Sequence, residues 1–234
     1  MVGSIGMLLD RGLTLEQLEC AFDIAVADPD PKTNRRRLTI GLRDLVSDQE
    51  AEGKTKKCLT RIWLNPPESA AAMIDWARKT PCPPESRNLL HFGAILATFP
   101  FVGAVARVIG QHLAIDSRVD ARAVRSEVRR QFGDRSSVDV AARKAYTTLC
   151  NIGMISKKGQ SLYPASTPST ATETMAPWLA HAVLLTRQAE SLPVSSIRSA
   201  PELLGVGMPG TVSRSYPFLG YHSDATGLVV SRSS

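Results

Sequence analysis

Along the first two-thirds of the chain, apolar residues recur at three- and four-residue spacing between proline and glycine clusters, a pattern that predicts consecutive short helices. Thr14 with Gln17 is a capping-box signal, and Leu15, Leu18, Phe22 and Val26 form one face until Asp28-Pro29-Asp30-Pro31 stops the helix. Leu38, Leu42 and Leu45 make the next stripe, starting near Thr33 and Asn34. A third helix is expected over about residues 55–64, ended by Asn65-Pro66-Pro67. Pro67 suits the first turn of a fourth, in which Ala70, Met73, Ile74 and Ala77 share a face.

After the breaker Thr80-Pro81-Cys82-Pro83-Pro84, two strongly apolar helices are expected, roughly residues 85–98 and 101–114. Residues 89–106 hold no Asp, Glu, Lys or Arg, and 18 such residues are about the least that spans a membrane. His91, Gly93, Thr98, Gly103 and the central Pro100 break the run, however, and it would be a solitary span. Two core helices meeting at Phe99-Pro100-Phe101 are the expectation, with no membrane partner.

From Arg118 the pattern changes. Ala121, Val124, Val128 and Phe132 form the buried stripe of one helix, with Gly133 as its C-cap. Asp134-Arg135-Ser136-Ser137 is the turn that supplies an N-cap for a second helix, whose inward positions are Val138, Ala141, Ala145, Leu149 and Ile152. Gly153 ends it. Met154-Ile155 and Leu162-Tyr163 then flank a tight turn at Lys157-Lys158-Gly159-Gln160. Residues 165–174, rich in Ser, Thr and Pro, read as a linker. Helix returns over about residues 174–190, with Trp178, Val183 and Leu185 among its apolar residues. Short β-like pieces at residues 216–219 and 228–230 close the chain.

The predicted fold class is therefore mainly α: a helical N-terminal bundle, then a winged-helix-like unit with a small β-hairpin, then a mixed C-terminal extension. The expected division is residues 1–80, residues 81–164 (the apolar pair plus the winged-helix-like unit) and residues 165–234 (linker and extension).

Charge separates these parts. The net charge is +6, and all of it falls in residues 118–158, which carry ten Lys or Arg against four acids; residues 1–117 have 14 of each and residues 159–234 four of each. A positive field confined to one compact helical unit is the electrostatic footprint of a nucleic-acid surface. Only 6% of residues are aromatic, which argues against a base-stacking sheet.

In a helix-turn-helix followed by a hairpin, the second helix enters the major groove and the hairpin rests on the backbone. With the inward positions removed, Asp139, Arg143, Lys144, Thr147, Thr148 and Asn151 remain for the outer face of that second helix. Arg135, Ser136 and Ser137 stand at its N-terminus, where free N–H groups favour a phosphate oxygen, although a serine there also serves simply as the cap. Lys157 and Lys158, at the hairpin tip, would contact backbone, and Arg122, Arg125 and Arg129, on the preceding helix, would flank the duplex. Asp139 is expected to pair with Arg143. A second basic set, Lys32, Arg35, Arg36, Arg37, Arg43, Lys54, Lys56, Lys57 and Arg61, is interleaved with acids and reads as a surface of salt bridges.

Catalytic and metal signatures are missing from the sequence pattern. His91, His112, His181 and His222 are scattered; Cys20, Cys58, Cys82 and Cys150 show no ligand spacing and read as buried reduced thiols. No nucleotide or nucleophile-elbow motif occurs, and Gly205-Val206-Gly207 lacks the third glycine of a dinucleotide site. The expectation is a non-enzymatic protein without cofactor or metal. No signal-peptide pattern opens the chain, so a cytoplasmic location is expected.

Three stretches carry a resemblance: Thr55-Lys56-Lys57 running on to Leu64; Leu89-Leu90 through Ala94-Ile95-Leu96 to Phe99-Pro100-Phe101; and the helix ending Leu149-Cys150-Asn151-Ile152-Gly153-Met154-Ile155. Over roughly residues 10–160 the chain resembles the BrxA family, small accessory proteins of BREX phage-defence systems. The resemblance implies a compact helical protein of winged-helix character that binds double-stranded DNA and supports phage restriction beside other defence proteins, without catalysis of its own. A winged-helix transcription regulator and a protein-docking scaffold are the alternatives that the residues leave open.

Overall fold

The computed structural model describes residues 8–28, 30–210, 215–225 and 227–233. These form ten α-helices and two three-stranded antiparallel sheets, and the mainly α expectation holds. Helix α1 (Leu15–Ala27) opens on the predicted capping box, with Gln17 N–H donating to Thr14 Oγ1 at 3.3 Å and Thr14 N–H to Gln17 Oε1 at 3.1 Å. It buries Leu18, Ala21, Phe22 and Ala25, whereas Val26, expected on this face, is 49% exposed. The stripe runs 18, 21/22, 25, and position 26 turns out one step beyond it.

Helix α2 (Pro31–Gly41) starts earlier than expected because Asp30 accepts from the Thr33 N–H, and it buries Leu38, with Leu42 just beyond its end. Helix α3 (Gln49–Leu59) also begins before residue 55: Asp48 caps the N–H groups of Glu50 and Ala51, within a polar stretch that shows no apolar period. It runs into a π-helical turn, Thr60–Leu64, that puts Ile62, Trp63 and Leu64 into the core together. Helix α4 (Glu68–Lys79) buries the predicted Ala70, Met73, Ile74 and Ala77.

The apolar pair is α5 (Arg87–Thr98) and α6 (Pro100–Leu113), bent by 114° where Phe99 precedes Pro100. No single helix among the described residues is long and apolar enough to cross a membrane. Residues 89–98 of α5 are all buried.

Strand β1 (Val119–Asp120) leads into α7 (Ala121–Phe132) and α8 (Ser136–Asn151), followed by the hairpin β2 (Ile155–Lys158) and β3 (Ser161–Pro164). The sheet order is β1-β3-β2. The two-residue β1 has too few positions to show a period and was not anticipated. Val124 and Val128 of α7 and Val138, Ala141, Ala145 and Leu149 of α8 are buried as predicted, and Phe132 meets Phe101 of α6 edge-on at 5.4 Å.

The last third supplies core. Helix α9 (Met175–Arg187) lies against α5 so closely that a Cβ on Gly93 would overlap the Trp178 ring. One hydrophobic cluster takes residues from all three sequence segments. Past α9, β4 (Ser191–Pro193), α10 (Val194–Arg198), β5 (Leu219–Asp224) and β6 (Gly227–Arg232) complete the chain, with sheet order β4-β6-β5. Tyr216 and Phe218, read from the sequence as strand, join an aromatic cluster with Trp76 and His181, and the Tyr216 hydroxyl lies 3.0 Å from His181 Nδ1. The Ser/Thr/Pro stretch over residues 165–174 is tethered through Thr170, which bridges to Gly207.

Candidate nucleic-acid interface

The basic unit is built by local signals. Asp120 caps α7, its carboxylate accepting from the Arg122 N–H at 2.7 Å, and Gly133, at φ +99°, ends the helix as predicted. The following turn departs from expectation. Arg135 occupies the cap position of α8 and no side chain caps the helix, so neither Ser136 nor Ser137 does so; both stand exposed in the first turn. Free N–H groups and the helix dipole therefore face outward there, beside the exposed Arg135. At the other end, Gly153, at φ +77°, makes the expected stop: Met154 N–H donates to the Leu149 carbonyl and Gly153 N–H to that of Cys150.

The hairpin turns over Gly159 and Gln160, with Gly159 at φ +57°. Lys157 and Lys158 consequently lie on β2 instead of at the tip. Lys158 shares a row with Ser161 and Asp120, and Lys157 shares the next row with the buried Leu162 and Val119. Because successive strand residues point to opposite faces, Lys157 leans toward α8, where its ammonium sits 5.6 Å from the centre of the Tyr146 ring.

Tyr146 joins this lysine to an ion-pair chain across the seam between α7 and α8. Its hydroxyl is 3.5 Å from Arg125 Nη1; Arg125 Nε lies 2.9 Å from Asp139 Oδ1; and Arg143 Nη2 lies 3.2 Å from Asp139 Oδ2. The Asp139–Arg143 pair was expected, but the Arg125 contact, 14 residues distant, was not. Burial acts to lower the Arg125 pKa, and the Tyr146 hydroxyl and Asp139 carboxylate outweigh it, raising the pKa and keeping the guanidinium charged. Asp134 takes Arg129 at 3.3 Å, and Glu127 takes Arg130 at 2.6 Å. Hydrogen bonds from Arg130 and Gln131 hold the Glu127 carboxyl at about 2.

Arg125 and Arg129 thus serve the α7–α8 seam and do not stand free as expected. With Arg130 and Arg143 they answer three of the four acids of the unit, Asp120 being the cap of α7, and among the described residues Arg118, Arg122, Arg135, Lys144, Lys157 and Lys158 have no carboxylate partner. All but the half-buried Lys144 are exposed.

The N-terminal segment packs on the C-terminal half of α8. Leu13 N–H donates to Thr148 Oγ1 at 3.0 Å, and Asn151 Nδ2 donates to the Leu13 carbonyl at 2.8 Å. Gly12 crosses Thr147 so closely that a Cβ there would stand 3.1 Å from its Cγ2. Leu9 and Leu13 are fully buried. Thr147, Thr148 and Asn151, predicted for the outer face, instead hold the N-terminal segment, Thr147 by packing on Gly12 and the other two through hydrogen bonds of about 1 kcal/mol each. Among the described residues this segment leaves the outer face of residues 136–144 open, a length of about 12 Å at the rise of a helix.

Outside this unit, the second basic set is partly the predicted salt-bridge surface: Arg37 pairs with Asp28, Lys54 with Glu50 and Lys57 with Asp10, while Arg35, Arg36 and Arg43 are exposed with no such partner among the described residues, and the Lys32 side chain lies outside them. Of the four free cysteines only Cys58 is fully buried; Cys20, Cys82 and Cys150 are half-buried, and burial raises the pKa of all four thiols. His91 is fully buried with Nε2 3.2 Å from Glu19 Oε1. Among the described residues no group of three or more His, Cys, Asp or Glu could hold a metal ion. Comparison with protein-family models, curated proteins and solved structures finds no match to this chain.

Proposed function

We propose that the protein binds double-stranded DNA through the unit formed by β1, α7, α8 and the β2–β3 hairpin, in the manner of a winged helix, and mainly through phosphates. The observation that carries this reading is the distribution of partners: Glu127, Asp134 and Asp139 are answered by Arg125, Arg129, Arg130 and Arg143, and six further cations of the unit have no carboxylate partner among the described residues, with Arg135 among them at the uncapped end of α8. Arg135 with the free N–H groups of Ser136 and Ser137 supplies a phosphate seat, Lys144 and Arg143 flank the open half of α8, and Lys158 with Arg122 extends the positive surface. A helix with its side chains is about 10–12 Å across, which fits the width of the major groove. Asp139, clasped between two guanidiniums, presents little repulsion to the backbone.

Action within a BREX-type phage-defence system, beside other defence proteins and without catalysis, is part of the proposal and rests on the resemblance of segment order alone.

The test is fluorescence anisotropy on a random-sequence 20-bp duplex. The variant Arg135→Ala/Lys144→Ala/Lys158→Ala should lose at least an order of magnitude in affinity, whereas Arg35→Ala/Arg36→Ala/Arg43→Ala, which removes as much charge from α2 and its end, should lose little. Equal losses in both would reject this unit as the site.

A further inference from the structure

One residue on the open face of α8 has no use in phosphate binding. Val140 is 47% exposed. Helical spacing sets it four residues after Ser136 and three after Ser137, three before Arg143 and four before Lys144, opposite the side on which Val138, Ala142 and Leu149 are buried. It therefore lies near the centre of the open half, and the contacts of residues 12 and 13 with α8 fall at the Lys144 carbonyl, Thr147, Thr148 and Asn151. Its neighbours are hydroxyls and cations, and the nearby carboxylate of Asp139 is held by Arg125 and Arg143.

An isopropyl group neither donates nor accepts a hydrogen bond. Pressed against most of a major-groove base edge, it would strip water from donors and acceptors and return nothing. The groove offers one apolar feature, the C5-methyl group of thymine, and 5-methylcytosine displays the same group at the same ring position. We infer that Val140 is a specificity-determining residue that seats against a pyrimidine C5-methyl group in the major groove, so that binding is not wholly blind to sequence. This rests on the DNA-binding reading above and adds to it a base-edge contact.

The experiment compares duplexes of alternating A and T with the same duplexes carrying uracil for thymine, and duplexes of alternating G and C with and without cytosine 5-methylation, using the full chain and Val140→Ala. Alanine is a strong helix former at an exposed site, so the variant keeps the fold. The wild type should bind the thymine duplex about fourfold more tightly than the uracil duplex for each methyl contacted, the worth of one methyl removed from water. Val140→Ala should lose that preference while keeping its affinity for the uracil duplex. A matching gain on cytosine methylation identifies the methyl group itself as the feature read; a preference confined to the A·T duplexes identifies thymine as its source. Equal binding of thymine and uracil duplexes by the wild type, or an undiminished preference in Val140→Ala, overturns the role of Val140 and leaves the DNA-binding reading standing. Failure to bind any duplex at low salt overturns both.

Discussion

Two carboxylates in this protein are each clasped by two arginines, and their surroundings give them different work. Glu202 is fully buried; Arg187 meets it with two bonds of 2.6 and 2.8 Å and Arg107 with one of 3.2 Å, joining α6, α9 and the short helical turn Pro201–Leu203. Asp139, with 23% of its side chain exposed, lies between Arg125 and Arg143 at the surface of the basic unit. In the interior a charge cannot be left alone, so the Glu202 cluster is a fixed joint whose parts depend on one another. At the surface water and salt can substitute for a partner, so the Asp139 cluster can be loosened at little cost to the fold.

The largest effect is expected on the buried side. Glu202→Ala takes the buried carboxylate from two partly exposed arginines and should cost about 3 kcal/mol, the low end for a broken buried pair, read from urea unfolding; a loss below about 1 kcal/mol would mean that water replaces the carboxylate and that the contrast fails.

Acid should act on the same interior next. Burial, helped by Arg232, holds the His181 imidazole down at about 4, against an ordinary 6.5. The unfolded chain takes up this proton first, so the contribution is complete above about pH 6.5 and shrinks as pH falls, by about 2 kcal/mol at pH 5. Glu202 continues the trend lower down. Burial alone would raise its pKa, but its arginine partners lower it, and its contribution, full above 4.5, is lost as pH falls through the folded value. Unfolding midpoints measured at pH 7.5, 6 and 5 should decline in that order; a flat profile would contradict the buried assignment of His181.

The smallest stability effect, and the most informative, belongs to Asp139→Asn. Its surface pairs are worth about 0.2–1 kcal/mol each, so the fold should barely notice. Duplex binding should tighten, because Arg125 and Arg143 are released toward the phosphates. Weaker binding would show that Asp139 is needed to aim them.

What could be read from the sequence was what local chemistry decides. The Thr14–Gln17 box, the Phe99-Pro100 break, the Gly133 and Gly153 stops and the inward stripe of α8 each follow from residues a few positions apart. Hidden were the polar start of α3, whose only signal is Asp48, and the two-residue β1. The larger miss lay in the site itself. Thr147 and Asn151 look like groove-facing residues on a helical wheel, and only the fold brings Leu13 to the helix, 138 residues before Asn151 in the chain. Arg125 likewise appeared free because Asp139 lies on the next helix. Arg118 enters the sequence pattern only through the local charge, and nothing in that pattern marks Val140.

The central claim, an exposed cationic surface fitted to a polyanion, is tested most directly by the salt dependence of duplex binding. With Arg118, Arg122, Arg135, Lys144, Lys157 and Lys158 available, log K against log salt should fall with a slope of about −5, and the Arg135→Ala/Lys144→Ala/Lys158→Ala variant should flatten it by roughly three units. A slope near zero, or one that the triple variant leaves unchanged, would contradict the account.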